Sequence, residues 1–154
     1  MDDLCMHLTN YAINKDNPKY VFNESLENLS YGHKKSLAEF FQTLKALGYK
    51  AHQYWADIKD IIIKTMISGQ PHLQHEYRMG QPNNLANNMC FEILGFDFMI
   101  DANGKVYLLE INHTPSFSTD TPLDELIKSN LIRDTLVLMN VNAKTRNQTM
   151  QETR

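Results

Sequence analysis

The chain has 154 residues, 42% of them hydrophobic and 21% charged, and a formal net charge of −3. That is long enough for one domain with a real core, and the mix of apolar and charged residues indicates a globular chain rather than a disordered one. Lys and Arg are not clustered, which argues against nucleic acid as a partner; no run approaches a membrane span, and no charged-then-apolar leader opens the chain. Cys5 and Cys90 lie in or beside apolar sequence without metal-type spacing, so they read as buried thiols in a reducing compartment.

Leu4 to Ile13 alternates weakly, which predicts a short strand running into a loop. Asn14 to Ser30 is rich in Asn, Asp, Ser and Pro, and Asn17-Pro18 marks a turn. One extended piece at Tyr20-Val21-Phe22 is the most order expected there, and the length makes it a candidate functional loop. Lys34 to Leu47 carries apolar residues at Leu37, Phe40, Phe41, Leu44 and Leu47, a helical spacing that Gly48 stops. Trp55 to Ser68 repeats that spacing. Its three consecutive isoleucines also suit a buried strand, but length favours helix, with Gly69 and Pro71 ending or interrupting it. His72 and His75 would share one helix side; with no third ligand they read as solvated or packing residues rather than a zinc site.

Gln81 to Asn88 reads as a loop. The hairpin segment that follows runs from Cys90 to Asn112. Asn103-Gly104 predicts a two-residue type I′ turn, which sets Ala102 opposite Lys105, Met99 opposite Leu108 and Asp97 opposite Glu110. Asn112 shares that face, opposite Gly95. The other face reads Leu94, Phe96, Phe98, Ile100, Tyr107, Leu109 and Ile111, a core face. Beyond it, Thr121-Pro122 starts a last helix, with Thr as N-cap, Pro at the first position, and Asp124 and Glu125 in the first turn. From Ala143 onward the chain is polar and expected to fray.

Opposed like charges destabilise a ladder, so Asp97 against Glu110 asks for a reason other than stability. A divalent cation reverses the sign of that interaction. Two carboxylates and an amide suit Mg²⁺, which takes few protein ligands and keeps sites for water and phosphate. The other reading is two solvated acids on the wet face of a half-exposed sheet. The pattern alone leaves both open, because a slip of one residue would move every side chain to the opposite face.

Phe96-Asp97-Phe98-Met99-Ile100-Asp101, followed by Leu108-Leu109-Glu110-Ile111-Asn112-His113-Thr114-Pro115-Ser116-Phe117, resembles the closing metal-binding hairpin of the tubulin tyrosine ligase-like family. Met6-His7-Leu8-Thr9-Asn10-Tyr11-Ala12-Ile13-Asn14-Lys15 is similar to a second block of that family. Gly32-His33-Lys34-Lys35-Ser36-Leu37 and Pro71-His72-Leu73-Gln74-His75-Glu76-Tyr77-Arg78 fit in the right order. The resemblance covers about residues 4 to 140 and is closest to the glutamate-adding members.

The resemblance implies an α/β fold, the carboxy-terminal lobe of an ATP-grasp ligase, with a small antiparallel sheet packed with helices over residues 1–142. It also implies that part of the nucleotide site lies outside this chain, as in a fragment or a truncated relative. By its motifs Asp97, Glu110 and Asn112 would hold Mg²⁺, with Mn²⁺ as a substitute, and Glu110 and Asn112 would serve catalysis. Thr9 and Asn10 would contact ATP. Tyr11, Ala12, Lys34 and His113 would meet the amino-acid substrate. The implied reaction joins free L-glutamate to glutamate side chains of tubulin through an acyl phosphate, in the cytoplasm on the cytoskeleton, with the axoneme and basal body of cilia or flagella as further places. Tubulin's acidic tails would favour a basic surface, which this chain does not show. Two rivals stand beside that reading: a family ligase using glycine or tyrosine, and a non-catalytic structural module associated with microtubules.

Overall fold

The computed structural model describes residues 10–23, 25, 32–83 and 90–139. The chain is α/β and divides into two compact units, Met1–Phe40 with Ser118–Thr135, and Phe41–Phe117 with Leu136–Arg154. Its elements in order are α1 (Tyr11–Asn14), α2 (Leu37–Ala46), α3 (Ala51–Gly80), β1 (Gly95–Ile100), β2 (Val106–Asn112) and α4 (Pro122–Leu138). The expected strand over Leu4–Ile13 is replaced, where described, by the single turn of α1; Leu4 to Thr9 lie outside the described residues. The Asn10 carbonyl accepts the N–H groups of Ile13 and Asn14 at 3.1 and 3.0 Å, and also the Asn14 side-chain amide at 3.1 Å. The Asn14 side chain bonding back to the Asn10 carbonyl adds a local contact that a strand would not make.

In the first unit, Tyr20 to Phe22 belongs to no helix or strand. Val21 exchanges two bonds with His33: its N–H donates to His33 Nδ1 at 2.9 Å, and its carbonyl accepts the His33 N–H at 3.0 Å. Both longer helices that begin here open on a reciprocal cap. At α2 the Ser36 hydroxyl accepts the Glu39 N–H at 3.2 Å while the Glu39 carboxylate accepts the Ser36 N–H at 3.0 Å. At α4 Thr121 and Asp124 do the same, both at 3.2 Å. Thr121 is therefore the N-cap and Pro122 the first helical residue, as the sequence predicts. Leu123 and Thr121 are buried at the start of α4.

In the second unit, α2 ends on Gly48 at φ 85°, with the Tyr49 N–H reaching the Leu44 carbonyl at 2.9 Å and the Gly48 N–H reaching the Lys45 carbonyl at 3.1 Å. This is a Schellman-type ending, which a glycine supports because it carries no Cβ to clash. α3 runs 30 residues through both Gly69 and Pro71, so neither ends it. Pro71 lacks the N–H that would bond the Ile67 carbonyl, but both residues are exposed, so water can solvate that carbonyl. Among the described residues the buried apolar side chains are Ile58, Val106 and Leu123, a smaller core than the chain length suggests. Cys90 is exposed, not buried. No helix among the described residues is long and apolar enough to cross a membrane.

The hairpin departs from the expected two-residue turn. Asp101 pairs with Lys105, the Asp101 N–H donating to the Lys105 carbonyl at 3.0 Å, and the Gly104 N–H returns to the Asp101 carbonyl at 3.0 Å. The loop is thus Ala102-Asn103-Gly104, with Gly104 at φ 81°, the three-residue alternative to a type I′ turn. The Asp101 carboxylate selects it by accepting the N–H groups of Lys105 and Asn103 at 2.8 and 2.9 Å. Those bonds, the Lys105 one foremost, hold the Asp101 carboxyl below its usual range. The wider loop shifts the register by one, so Met99 faces Tyr107 rather than Leu108.

Leu109 is an extra residue on β2, between the Asp97–Glu110 and Phe98–Leu108 pairs; this bulge shifts the register back, and Asp97 still faces Glu110. The core face is corrected accordingly. Near the loop, Val106 and Leu108 join Phe98 and Ile100 inside, while Tyr107 and Leu109 turn out to 40% and 55% exposure. α3 packs against β2, and a Cβ on Gly104 would lie 2.7 Å from the Tyr54 hydroxyl. Gly104→Ala is therefore expected to cost about 1–3 kcal/mol in urea unfolding, from positive-φ strain and overpacking together. Part of that loss should return in a Tyr54→Phe background, which removes the clashing oxygen.

Candidate metal centre

The restored register sets Asp97 directly across from Glu110, and Asn112 two residues along β2 on the same face. The Asn112 amide nitrogen lies 3.1 Å from Glu110 Oε1 and 3.5 Å from Asp97 Oδ2, so one amide touches both acids. Opposite Asn112 stands Gly95, where a Cβ would press to 3.2 Å on the Pro115 side chain. The bend that Pro115 makes after β2 therefore lies tight against the strand at the open end of the site.

The electrostatics single out one acid. Partial burial pushes the Asp97 carboxyl above its usual range, and hydrogen bonding to Glu110 and repulsion from its charge add to the rise. Asp101, four positions along, moves the opposite way because its oxygens are filled by N–H groups. Asp101 braces a loop; Asp97 is short of positive charge. The donor set fits a hard divalent cation: two carboxylates supply charge, and the amide of Asn112 offers either its N–H or, turned over, its oxygen. Among the described residues no three His, Cys, Asp or Glu side chains gather around a common point. Protein charge at this patch is thus limited to two acids, which suits an ion that keeps waters and phosphates.

The remaining residues that the motifs singled out divide as follows. His113 is exposed, at the bend that follows β2. Thr9 lies outside the described residues, and Asn10 uses its backbone, not its side chain, to cap α1. Ala12 is exposed on α1. Tyr11 and Lys34 meet: the Lys34 ammonium sits 3.8 Å from the centre of the Tyr11 ring. Tyr20 contacts Tyr11 edge-on at 5.9 Å and stacks on His33 at 5.0 Å. Lys34 also forms a bidentate ion pair with Asp124, at 2.8 and 3.1 Å.

Asp124 is the neighbour that sequence reading missed. Its capping role was legible, because Thr121-Pro122-Leu123-Asp124 has the spacing of a capping box, as does Ser36-Leu37-Ala38-Glu39. Its pairing with Lys34, 90 positions away, was not.

The sequence profile described as the tubulin-tyrosine ligase family matches residues 1–149. A probable beta-tubulin polyglutamylase of Tetrahymena thermophila is 55% identical over 99% of this chain and 13% of its own length. Tubulin polyglutamylase ttll6 of Danio rerio is 45% identical over 99% of this chain and 19% of its own length. The human tubulin polyglutamylase TTLL6 is 44% identical over 100% of this chain and 17% of its own length. The chain therefore spans less than a fifth of the length of these relatives.

The acid pair generates a pH-dependent expectation. With its folded-state pKa raised, Asp97 holds a proton more tightly when folded than when unfolded. The native protein therefore loses stability as pH rises through the window between the ordinary carboxylate range and the raised value. Asp97→Asn does not titrate and should be more stable than wild type at neutral pH, by about 0.2–1 kcal/mol for so exposed a pair. The gain should vanish below that window. Chemical unfolding in the absence of metal at several pH values checks both; a variant less stable than wild type at pH 7 would contradict the opposed-charge account.

Proposed function

The chain belongs to the tubulin-tyrosine ligase family, and from that premise we propose that it forms the metal-binding part of a tubulin polyglutamylase. In this reading the whole protein uses ATP to join free L-glutamate to glutamate side chains of tubulin. The observation that carries it is the patch of Asp97, Glu110 and Asn112. Two acids with no stabilising reason to face one another stand opposed on the hairpin, and one amide touches both. Relatives named as polyglutamylases favour glutamate over glycine or tyrosine. The opposed acid pair favours an enzyme over a purely structural module.

A carboxylate is a poor electrophile, so it must be activated before an amine can attack it. The acceptor carboxylate oxygen attacks the γ-phosphorus of ATP, the bond to ADP breaks, and an acyl phosphate results. The amine of glutamate then attacks the acyl carbon, phosphate leaves with the electron pair, and the amine sheds its proton. A divalent cation bound at the acid pair would supply positive charge to the phosphates. Asp97 and Glu110 would hold it through their carboxylates and Asn112 through its amide oxygen. Lys34, beside Tyr11, would hold a carboxylate of the incoming glutamate. His113 would steady the acceptor at the edge of the acid pair. Most of the acceleration asked of these residues is positioning and charge compensation. Microtubules, those of cilia and flagella among them, are the implied place of work, and the lobe is the carboxy-terminal one of an ATP-grasp ligase.

In the natural full-length protein, Glu110→Gln should lower glutamate incorporation about 100-fold or more while the melting temperature stays within a few degrees. The same substitution in the present chain should weaken Mn²⁺ binding, read by water-proton relaxation without any turnover. Wild-type incorporation by the Gln variant would overturn the proposal. His113→Ala should slow incorporation about ten- to a hundredfold with little change in ATP affinity. Equal losses in both would make His113 a packing residue.

A further inference from the structure

We infer that Asp124 is a positioning residue: it fixes the Lys34 ammonium over Tyr11 so that one N–H of Lys34 stays directed to the carboxylate of the incoming amino acid. This rests on the proposed role of Lys34 in holding that substrate. A lysine on its four-carbon stem is a mobile point charge, and ordering it at the moment of binding costs rotamer freedom. Here that freedom is removed beforehand. The two oxygens of Asp124 take two of the three ammonium N–H directions, at 2.8 and 3.1 Å, and the Tyr11 ring faces the ammonium at 3.8 Å. Among the described residues no third oxygen takes the remaining N–H.

Asp124 can do this because its own place does not depend on Lys34. Its Oδ2 accepts the Thr121 N–H at 3.2 Å and the Thr121 hydroxyl at 2.9 Å, and its N–H donates to the Thr121 hydroxyl oxygen at 3.2 Å. The carboxylate is thus locked to the first turn of α4, and Lys34 comes to it. The pair is well sheltered, with side-chain exposures of 26% for Lys34 and 13% for Asp124.

An ammonium neutralised by one aspartate would attract a second carboxylate poorly, and here the second cation matters. Burial pushes the Asp124 carboxyl up, yet the bonds from Lys34 and Thr121 and the charges of Lys34 and Lys128 bring it below its usual range. Lys128 is held nearby, its ammonium donating to the Ser118 carbonyl. Lys34 and Lys128 both act on the Asp124 carboxylate, so its charge is not countered by Lys34 alone.

The test uses the natural full-length ligase, with KM for glutamate and KM for ATP measured separately alongside the melting temperature. Asp124→Asn keeps an oxygen to accept from Thr121, and so keeps the cap, but loses its charge toward Lys34. It should raise the glutamate KM about three- to tenfold, the effect of one side chain that must be ordered on binding. The ATP KM and the melting temperature should hardly move. Asp124→Glu, which retains both cap and charge, should recover most of the loss. Lys34→Met should raise the glutamate KM at least as much, and adding Asp124→Asn to it should change little more. If Lys34→Met raises the glutamate KM and Asp124→Asn does not, the positioning role is overturned while Lys34 keeps its assignment. If Asp124→Asn raises both KM values equally with a loss of melting temperature, Asp124 only caps a helix. If Lys34→Met leaves the glutamate KM unchanged, the substrate role of Lys34 fails, and that of Asp124 with it.

Discussion

Asp97 and Glu110 face one another across a two-stranded hairpin, and the arrangement of the second unit follows from keeping them there. A sheet this small has little packing to spare against like charges at one rung. The apolar side chains around the pair supply that packing. Phe96 and Phe98 stack with their rings 6.2 Å apart on the inner face of β1, and Val106 is buried on β2 opposite Ile100. At the far end the loop is held by Asp101, whose carboxylate gathers two N–H groups, and by Gly104 beneath Tyr54. The repulsion is thus held in place by a brace on each side of it, a local cost that the surrounding structure offsets.

The bulge is the part of this design with the least margin. The three-residue loop alone would move every side chain of β2 by one place relative to β1, and Asp97 would then face Leu109. The extra residue at Leu109 cancels that offset beyond Phe98. It also rotates the strand, so one stretch of β2 sends Val106 and Leu108 inward while the next sends Glu110 outward. A bulge is a recurrent device for re-aiming a side chain beside a site, and here it serves the acid that the sheet would otherwise lose.

The first unit is organised around a different interaction, the ion pair of Lys34 with Asp124. Three stretches far apart in sequence meet there: Tyr11 on α1, Lys34 just before α2, and Asp124 in the first turn of α4. Two of them carry helix caps of the same type, so the side chains that end each helix also set where the charged groups stand. Asp124 belongs to both systems at once. It is a capping acid toward Thr121 and a counter-ion toward Lys34, and the helix start makes the counter-ion rigid.

The sequence by itself determined what depends on neighbours a few positions apart. The helix over Leu37–Ala46, its stop at Gly48, the cap at Thr121 and the pairing of two strands around Asn103-Gly104 all follow from local spacing and local hydrogen bonds. So did the choice of Asp97, Glu110 and Asn112 as one patch, because alternation along strands carries side chains to a common face. Tertiary structure decided the rest. The loop size turned on a carboxylate that competes for N–H groups, and two one-residue shifts cancelled, so the opposed acids were reached by a register different from the one the turn predicts. Pro71 did not end its helix, since a missing hydrogen bond on an exposed face is a cost that water can share. Lys34 found Asp124 across 90 positions, and no periodicity in a single chain records a contact of that kind. Spacing encodes which residues share a face; only the folded chain decides which faces meet.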